Sequence, residues 1–132
     1  MPYIDKLAWI QIKDRQVLGA RSKGKQIYYI PGGKRNIDET DEEALSREVL
    51  EELSVRLVPS TLSFVAQFEA QAHGKPEGTM VKTTCYKADY EGTLQANSEI
   101  EELRWLTHSD KHRCSPVNTI ILDWLKEEDL IE

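Results

Sequence analysis

Tyr29-Ile30-Pro31-Gly32-Gly33-Lys34 leads through Glu39 into Thr40-Asp41-Glu42-Glu43-Ala44-Leu45-Ser46-Arg47-Glu48-Val49-Leu50-Glu51-Glu52-Leu53-Ser54-Val55. Thr40 and Glu43 have the spacing of a capping box, in which each side chain satisfies a backbone donor at a helix start; the spacing predicts a helix from Asp41 to Leu53. Leu45, Val49 and Leu53 recur at steps of four and form an apolar stripe to bury against a sheet. Glu48, Glu51 and Glu52 lie at i, i+3 and i+4, together on the neighbouring face. Three adjacent carboxylates repel one another, and Arg47, within helical reach of Glu51 or Glu43, cannot neutralise them all. A hard divalent cation can, because Mg²⁺ or Mn²⁺ takes carboxylate and carbonyl oxygens and binds phosphate in its remaining positions. Alone, such glutamates would read as a solvated face; the strand end and glycine turn at Tyr29 to Lys34 make a metal and phosphate site the better reading.

The segment resembles the signature of the Nudix hydrolases, and the chain resembles their small MutT-like members. Gly33, Glu39, Arg47, Glu48, Val49, Glu51, Glu52 and Val55 match the family pattern in order and spacing, and Ser54 stands where the pattern has its last glycine. The resemblance implies an α+β fold, the Nudix α/β/α sandwich, with a mixed central sheet and the helix of the signature packed against it. It implies Mg²⁺ or Mn²⁺ held by Glu48, Glu51 and Glu52 with the Gly32 carbonyl, and a water proton accepted by Glu48 or Glu99. Glu99 precedes Arg104-Trp105 on a loop expected to approach the metal, as a further ligand or the general base; an exposed acidic turn is the competing reading. Arg47 would orient a carboxylate, and Gly33 and Glu39 would serve the structure of the signature. Ser54 falls where glycine supplies a left-handed helix cap, so it should cost on the order of 1 kcal/mol if positive φ is required.

Substrate-binding positions lie outside the signature. Arg21, Lys23 and Lys34 are candidates for phosphate, with Lys34 favoured because it follows the glycines directly; Lys25 reads as a solubility residue. Asn118, after Ser115-Pro116, resembles the base-reading asparagine of MutT-like chains, since an amide both donates and accepts; a polar residue at a helix start is the other reading. At Ala70 to His73 neither the proline of ADP-ribose hydrolases nor the tyrosine of dinucleoside polyphosphate hydrolases is present. These features favour cleavage of a nucleoside triphosphate, an oxidised purine nucleotide among the candidates, to monophosphate and pyrophosphate. The alternatives are hydrolysis of a nucleotide sugar or other nucleoside diphosphate derivative, and a noncatalytic nucleotide sensor.

The rest of the chain is consistent with a compact enzyme. Its 132 residues suit one domain, 1–132, and a net charge of -6 argues against a nucleic acid polymer as partner. No stretch reads as a membrane span or signal peptide, so a cytoplasmic location is expected, with a small-molecule nucleotide as partner and homodimers frequent in the family. Cys85 and Cys114 read as two free thiols. Leu7 to Lys13 and Val17 to Arg21 predict a hairpin turning at Asp14 to Gln16, followed by a strand at Ile27 to Ile30. Leu62 to Ala70 alternates as a half-buried strand, His73 to Gly78 is a loop, Met80 to Tyr90 a long returning strand, and Glu102 to Leu106 another. Val117, Ile120, Ile121, Trp124 and Leu125 mark a final amphipathic helix.

Overall fold

The computed structural model describes residues 3–72 and 74–132; Met1, Pro2 and His73 lie outside the described residues. In chain order the elements are β1 (Tyr3–Trp9), β2 (Ile12–Lys13), β3 (Gln16–Ser22), β4 (Tyr28–Tyr29), β5 (Gly32–Lys34), α1 (Asp41–Leu53), β6 (Arg56–Leu57), β7 (Ser63–Gln71), β8 (Met80–Lys87), β9 (Tyr90–Glu91), β10 (Ile100–Leu106) and α2 (Pro116–Glu127). One mixed sheet has the order β5-β1-β8-β7, with β1 and β8 parallel and the other pairs antiparallel. A second has β10-β3-β2 with β4 on β3, and β6 pairs β9. No helix among the described residues is long and apolar enough to cross a membrane.

The sheets form the middle layer because their strands are apolar on both faces. Leu7, Trp9 and Leu18 pack with Ala44, Leu45, Val49 and Leu53 of α1. Their strand neighbours Ala8, Ile10 and Val17 point the other way, onto Ile121, Leu122 and Leu125 of α2. The α/β/α sandwich with a mixed sheet is therefore what this sequence builds.

Four local expectations need correction. The first hairpin is not continuous: Leu7 to Trp9 belongs to one sheet and Ile12–Lys13 to the other, and the turn places Asp14 and Arg15 at φ 52° and 61°. Gly32 and Gly33 form a short strand on β1 rather than a turn. The long strand ends at Lys87, and β9 turns aside to β6. In β7 the register shifts between Phe64 and Ala66; such a bulge inverts the alternation, so Phe64 is exposed and meets Tyr86 edge-on.

The stripe of α2 is also displaced. Val117, Asn118, Ile121, Leu122 and Leu125 are buried, whereas Ile120 is exposed. An asparagine thus sits within the buried face. Both cysteines are free thiols.

Candidate active site

Helix α1 begins and ends where its sequence dictates. The Thr40 hydroxyl accepts from the Glu43 N–H at 3.1 Å, and the Glu43 carboxylate accepts from the Thr40 N–H at 2.9 Å. Leu45, Val49 and Leu53 are fully buried, which fixes the rotation of the helix and sends its glutamates toward β5. At the other end Ser54 takes φ 64° and donates its N–H to Leu50 at 3.1 Å. The left-handed cap expected of the glycine is therefore retained with serine.

Arg47 organises the entry to the helix. Its Nε and Nη2 donate to the two oxygens of Glu39 at 2.8 and 2.9 Å, a bidentate pair, and Nη2 also donates to the Lys34 carbonyl at 3.1 Å. Nη1 donates to Glu48 at 2.9 Å and stands 3.6 Å from Glu51. Glu43 is committed to the cap, so it is not the partner that spacing had allowed. Glu39 further accepts from the Asn36 N–H at 2.7 Å. Those bonds, that of Arg47 foremost, hold its pKa down at about 2.

Glu52 is in the opposite situation. It is 5% exposed, and no cation among the described residues stands at bonding distance from it. Its carboxylate accepts from the Gly32 N–H and the Tyr29 hydroxyl, both at 3.1 Å. Burial pushes its pKa up to about 7, with the charges of Glu48 and Glu99 adding to the effect. Glu48 also lies above the usual carboxylate range, because burial outweighs the help of Arg47. A carboxylate kept out of water without a countercharge is costly unless it takes up a proton or a cation.

The glycines make room for these groups. A Cβ on Gly33 would stand 2.6 Å from the Glu48 carboxyl carbon, and one on Gly32 would stand 2.0 Å from the Leu7 carbonyl oxygen. Gly32 also has φ 145°, a conformation that favours glycine. Glu51 is largely exposed. Glu99 reaches the cluster on a loop strapped to the end of α1: Asn97 N–H donates to the Glu52 carbonyl and Gln95 N–H to the Leu53 carbonyl, both at 3.0 Å. Its negative charge raises the pKa of both Glu48 and Glu52. Among the described residues no three acidic, histidine or cysteine side chains already converge as a ligand set. The donors present, Glu48, Glu51, Glu52 and Glu99 with the Gly32 carbonyl, are nonetheless all hard oxygens, and their mutual repulsion fits a hard divalent ion.

Beside the cluster lies a cleft of about 570 Å³ between β1, β5, β8, the Ser22 to Ile27 loop and the start of α2. Lys34 and Asn118 line it, as do Lys6, Lys25 and Lys75; Lys25 is thus a cleft residue and not merely a solubilising one. Asn118 accepts from the Ile30 N–H at 3.0 Å and donates to the Ser115 hydroxyl at 2.7 Å. Its carbonyl and one N–H thus each hold a bond within the fold, and the second N–H stays available to a ligand.

Arg21 is turned away from the cleft. It pairs with Glu101 at 3.0 Å and Glu102 at 3.2 Å, donates to the Lys25 carbonyl at 3.0 Å and lies over the Tyr28 ring at 5.9 Å. It lines a separate groove with Tyr28, His112 and Arg113. Gln71 and Ala72 border the cleft, and His73 lies outside the described residues. Sequence reasoning missed Tyr29 and Lys6. Lys6 carried a signal, a charge between the inward-facing Ile4 and Ala8 of one strand.

Residues 7–125 match the model of the NUDIX domain. The fold is similar to the E. coli ORF135 protein, with 25% identity, a TM-score of 0.76 and coverage of 98% of this chain and 92% of that one. It is similar to a MutT NUDIX hydrolase from Burkholderia pseudomallei, with 20% identity, a TM-score of 0.76 and coverage of 93% and 98%. It also resembles part of a bifunctional NMN adenylyltransferase/ADP-ribose pyrophosphatase from Francisella tularensis in complex with AMP and a manganese ion, with 21% identity, a TM-score of 0.68 and coverage of 96% and 42%. No curated protein sequence matches the chain. With its signature segment inside the matched region and its sandwich shared with solved MutT and Nudix structures, the chain belongs to the Nudix hydrolase family.

Proposed function

We propose that the protein acts as a single Nudix domain, a Mg²⁺- or Mn²⁺-dependent pyrophosphohydrolase of nucleoside triphosphates that releases a monophosphate and pyrophosphate. The observation that carries this reading is the buried Glu52, paired with no cation among the described residues, beside a lysine-lined cleft large enough for a nucleoside. Glu48, Glu51, Glu52 and Glu99, with the Gly32 carbonyl, would hold the ions, which spread phosphate charge and ease deprotonation of water. Arg47 keeps Glu48 in place by a charge-assisted bond. Gly33 lets that carboxylate lie against the strand, and Lys34 meets phosphate at the cleft wall. The Glu99 carboxylate has no hydrogen-bond partner among the described residues, which frees it to take the proton of the attacking water. The remaining N–H of Asn118 would donate to the base.

A second reading, hydrolysis of a nucleotide sugar or ADP-ribose, is favoured by the likeness to the Francisella protein and by a cleft that admits more than a base. A panel of canonical and oxidised triphosphates, nucleotide sugars, ADP-ribose and dinucleoside polyphosphates, assayed with each metal and with products identified, separates the two. Preference for a triphosphate, with pyrophosphate among the products, is expected. Rapid turnover of a nucleotide sugar with inert triphosphates would establish the second reading, and no turnover of any substrate would leave a nucleotide-binding sensor.

A further inference from the structure

Across the sheet floor of the cleft runs a row of polar side chains perpendicular to the strands. Lys34 on β5 is the register partner of Lys6 on β1, and Lys6 is the partner of Thr83 on β8. Directly paired residues project to the same side of a sheet, and neighbouring strands are about 4.8 Å apart. All three residues line the cleft, among the apolar Ile4, Ala8 and Val81. Neither lysine has an ion pair among the described residues. Desolvation and the adjacent charge of Lys34 lower the Lys6 pKa, while Glu52 and Glu48 act on it in the opposite sense. Thr83 is 4% exposed, and its hydroxyl has no hydrogen-bond partner among the described residues, an omission that costs free energy unless a ligand supplies the bond.

We propose that Lys6, with Thr83 behind it, is a second phosphoryl-binding position one strand inward from Lys34. The row then selects substrates that present consecutive phosphoryl groups to the cleft, the outer one at Lys34 and the inner one at Lys6 and the Thr83 hydroxyl. The inference rests on the phosphoanhydride reading of the site and adds the residues that position the chain. An ammonium and a hydroxyl are both suited to phosphoryl oxygens, which only accept. Lys6 is a positioning residue in this scheme, since the reacting bond lies nearer the glutamates.

The test is calorimetric titration of the full chain with inorganic pyrophosphate, without metal, alongside steady-state kinetics on the preferred nucleotide. Lys6→Met should weaken pyrophosphate binding about 10- to 100-fold and raise KM similarly with a smaller change in kcat. Lys6→Arg should recover most of the loss, and Thr83→Val should weaken pyrophosphate about 5-fold. Pyrophosphate binding and KM unchanged in Lys6→Met would overturn the assignment while leaving the hydrolase reading intact. A native protein that turns over no nucleotide, yet binds pyrophosphate through Lys6, would sink the hydrolase reading and keep the phosphoryl position.

Discussion

Glu39 and Glu52 belong to one signature segment, yet the fold treats them in opposite ways. Glu39 is gripped by the Arg47 fork and a backbone N–H, and its pKa is held at about 2. Glu52 has only the Gly32 N–H and the Tyr29 hydroxyl, is buried, and is pushed up to about 7. The first carboxylate is complete within the protein; the second is complete only with a proton or a cation. The contrast separates the residue that shapes the loop from the residue that awaits a ligand, although both are glutamates in the same motif.

Exchanging each for glutamine tests the contrast most severely. Glu52→Gln should lower kcat at least about 100-fold and weaken Mn²⁺ binding, since it removes a carboxylate from the cluster. Glu39→Gln should cost about 10- to 100-fold through loosened loop geometry. Equal metal affinity in the native and Glu52→Gln proteins, measured by calorimetry, would break the distinction.

Stability against pH should show the same opposition without any metal. The folded pKa of Glu52 lies above its ordinary value of 4.5, so the native state holds the extra proton. Stability from this group is greatest below pH 4.5 and declines as pH rises to about 7, by about 3 kcal/mol at most. Glu39, with its folded pKa below 4.5, contributes stability above pH 4.5 that is lost as pH falls toward 2. Denaturant melts of the metal-free protein should therefore show the decline toward pH 7, and Glu52→Gln should reduce it to the smaller part that Glu48 contributes. A native profile flat from pH 4.5 to 7 would contradict the burial of an uncompensated charge.

The smallest effect is expected at the helix exit, away from both carboxylates. Ser54→Gly should raise stability by about 1 kcal/mol, because serine at φ 64° meets a steric cost that glycine does not. Turnover should stay unchanged, which a thermal melt and a single assay would check.

The parts of the site that could be read in advance are those set by local physics. The capping box, the 41–53 helix and the seating of Leu45, Val49 and Leu53 depend on neighbours within a turn or two, and all are present. The strand identity of Gly32–Lys34 was not legible, because glycines suit a turn equally well and here follow β1 through long-range pairing. Arg21 had the composition of a phosphate ligand, but Glu101 and Glu102 on β10 hold it elsewhere. Asn118 had the chemistry of a base reader, but its ties to the Ile30 N–H and the Ser115 hydroxyl come from pairing that the sequence does not display.

By itself, the sequence determined the signature helix, its apolar stripe and the acidic residues on its face, and thereby the family. These follow from spacing, since helical and strand periods convert sequence separation directly into direction. Only the tertiary structure decided which carboxylate is paired with an arginine and which is buried with no cation beside it among the described residues. It likewise decided which cation faces the cleft, and that Lys6 stands beside Lys34. Charge and burial depend on what the rest of the chain brings within a few ångströms, and that is set by pairing between residues far apart in sequence.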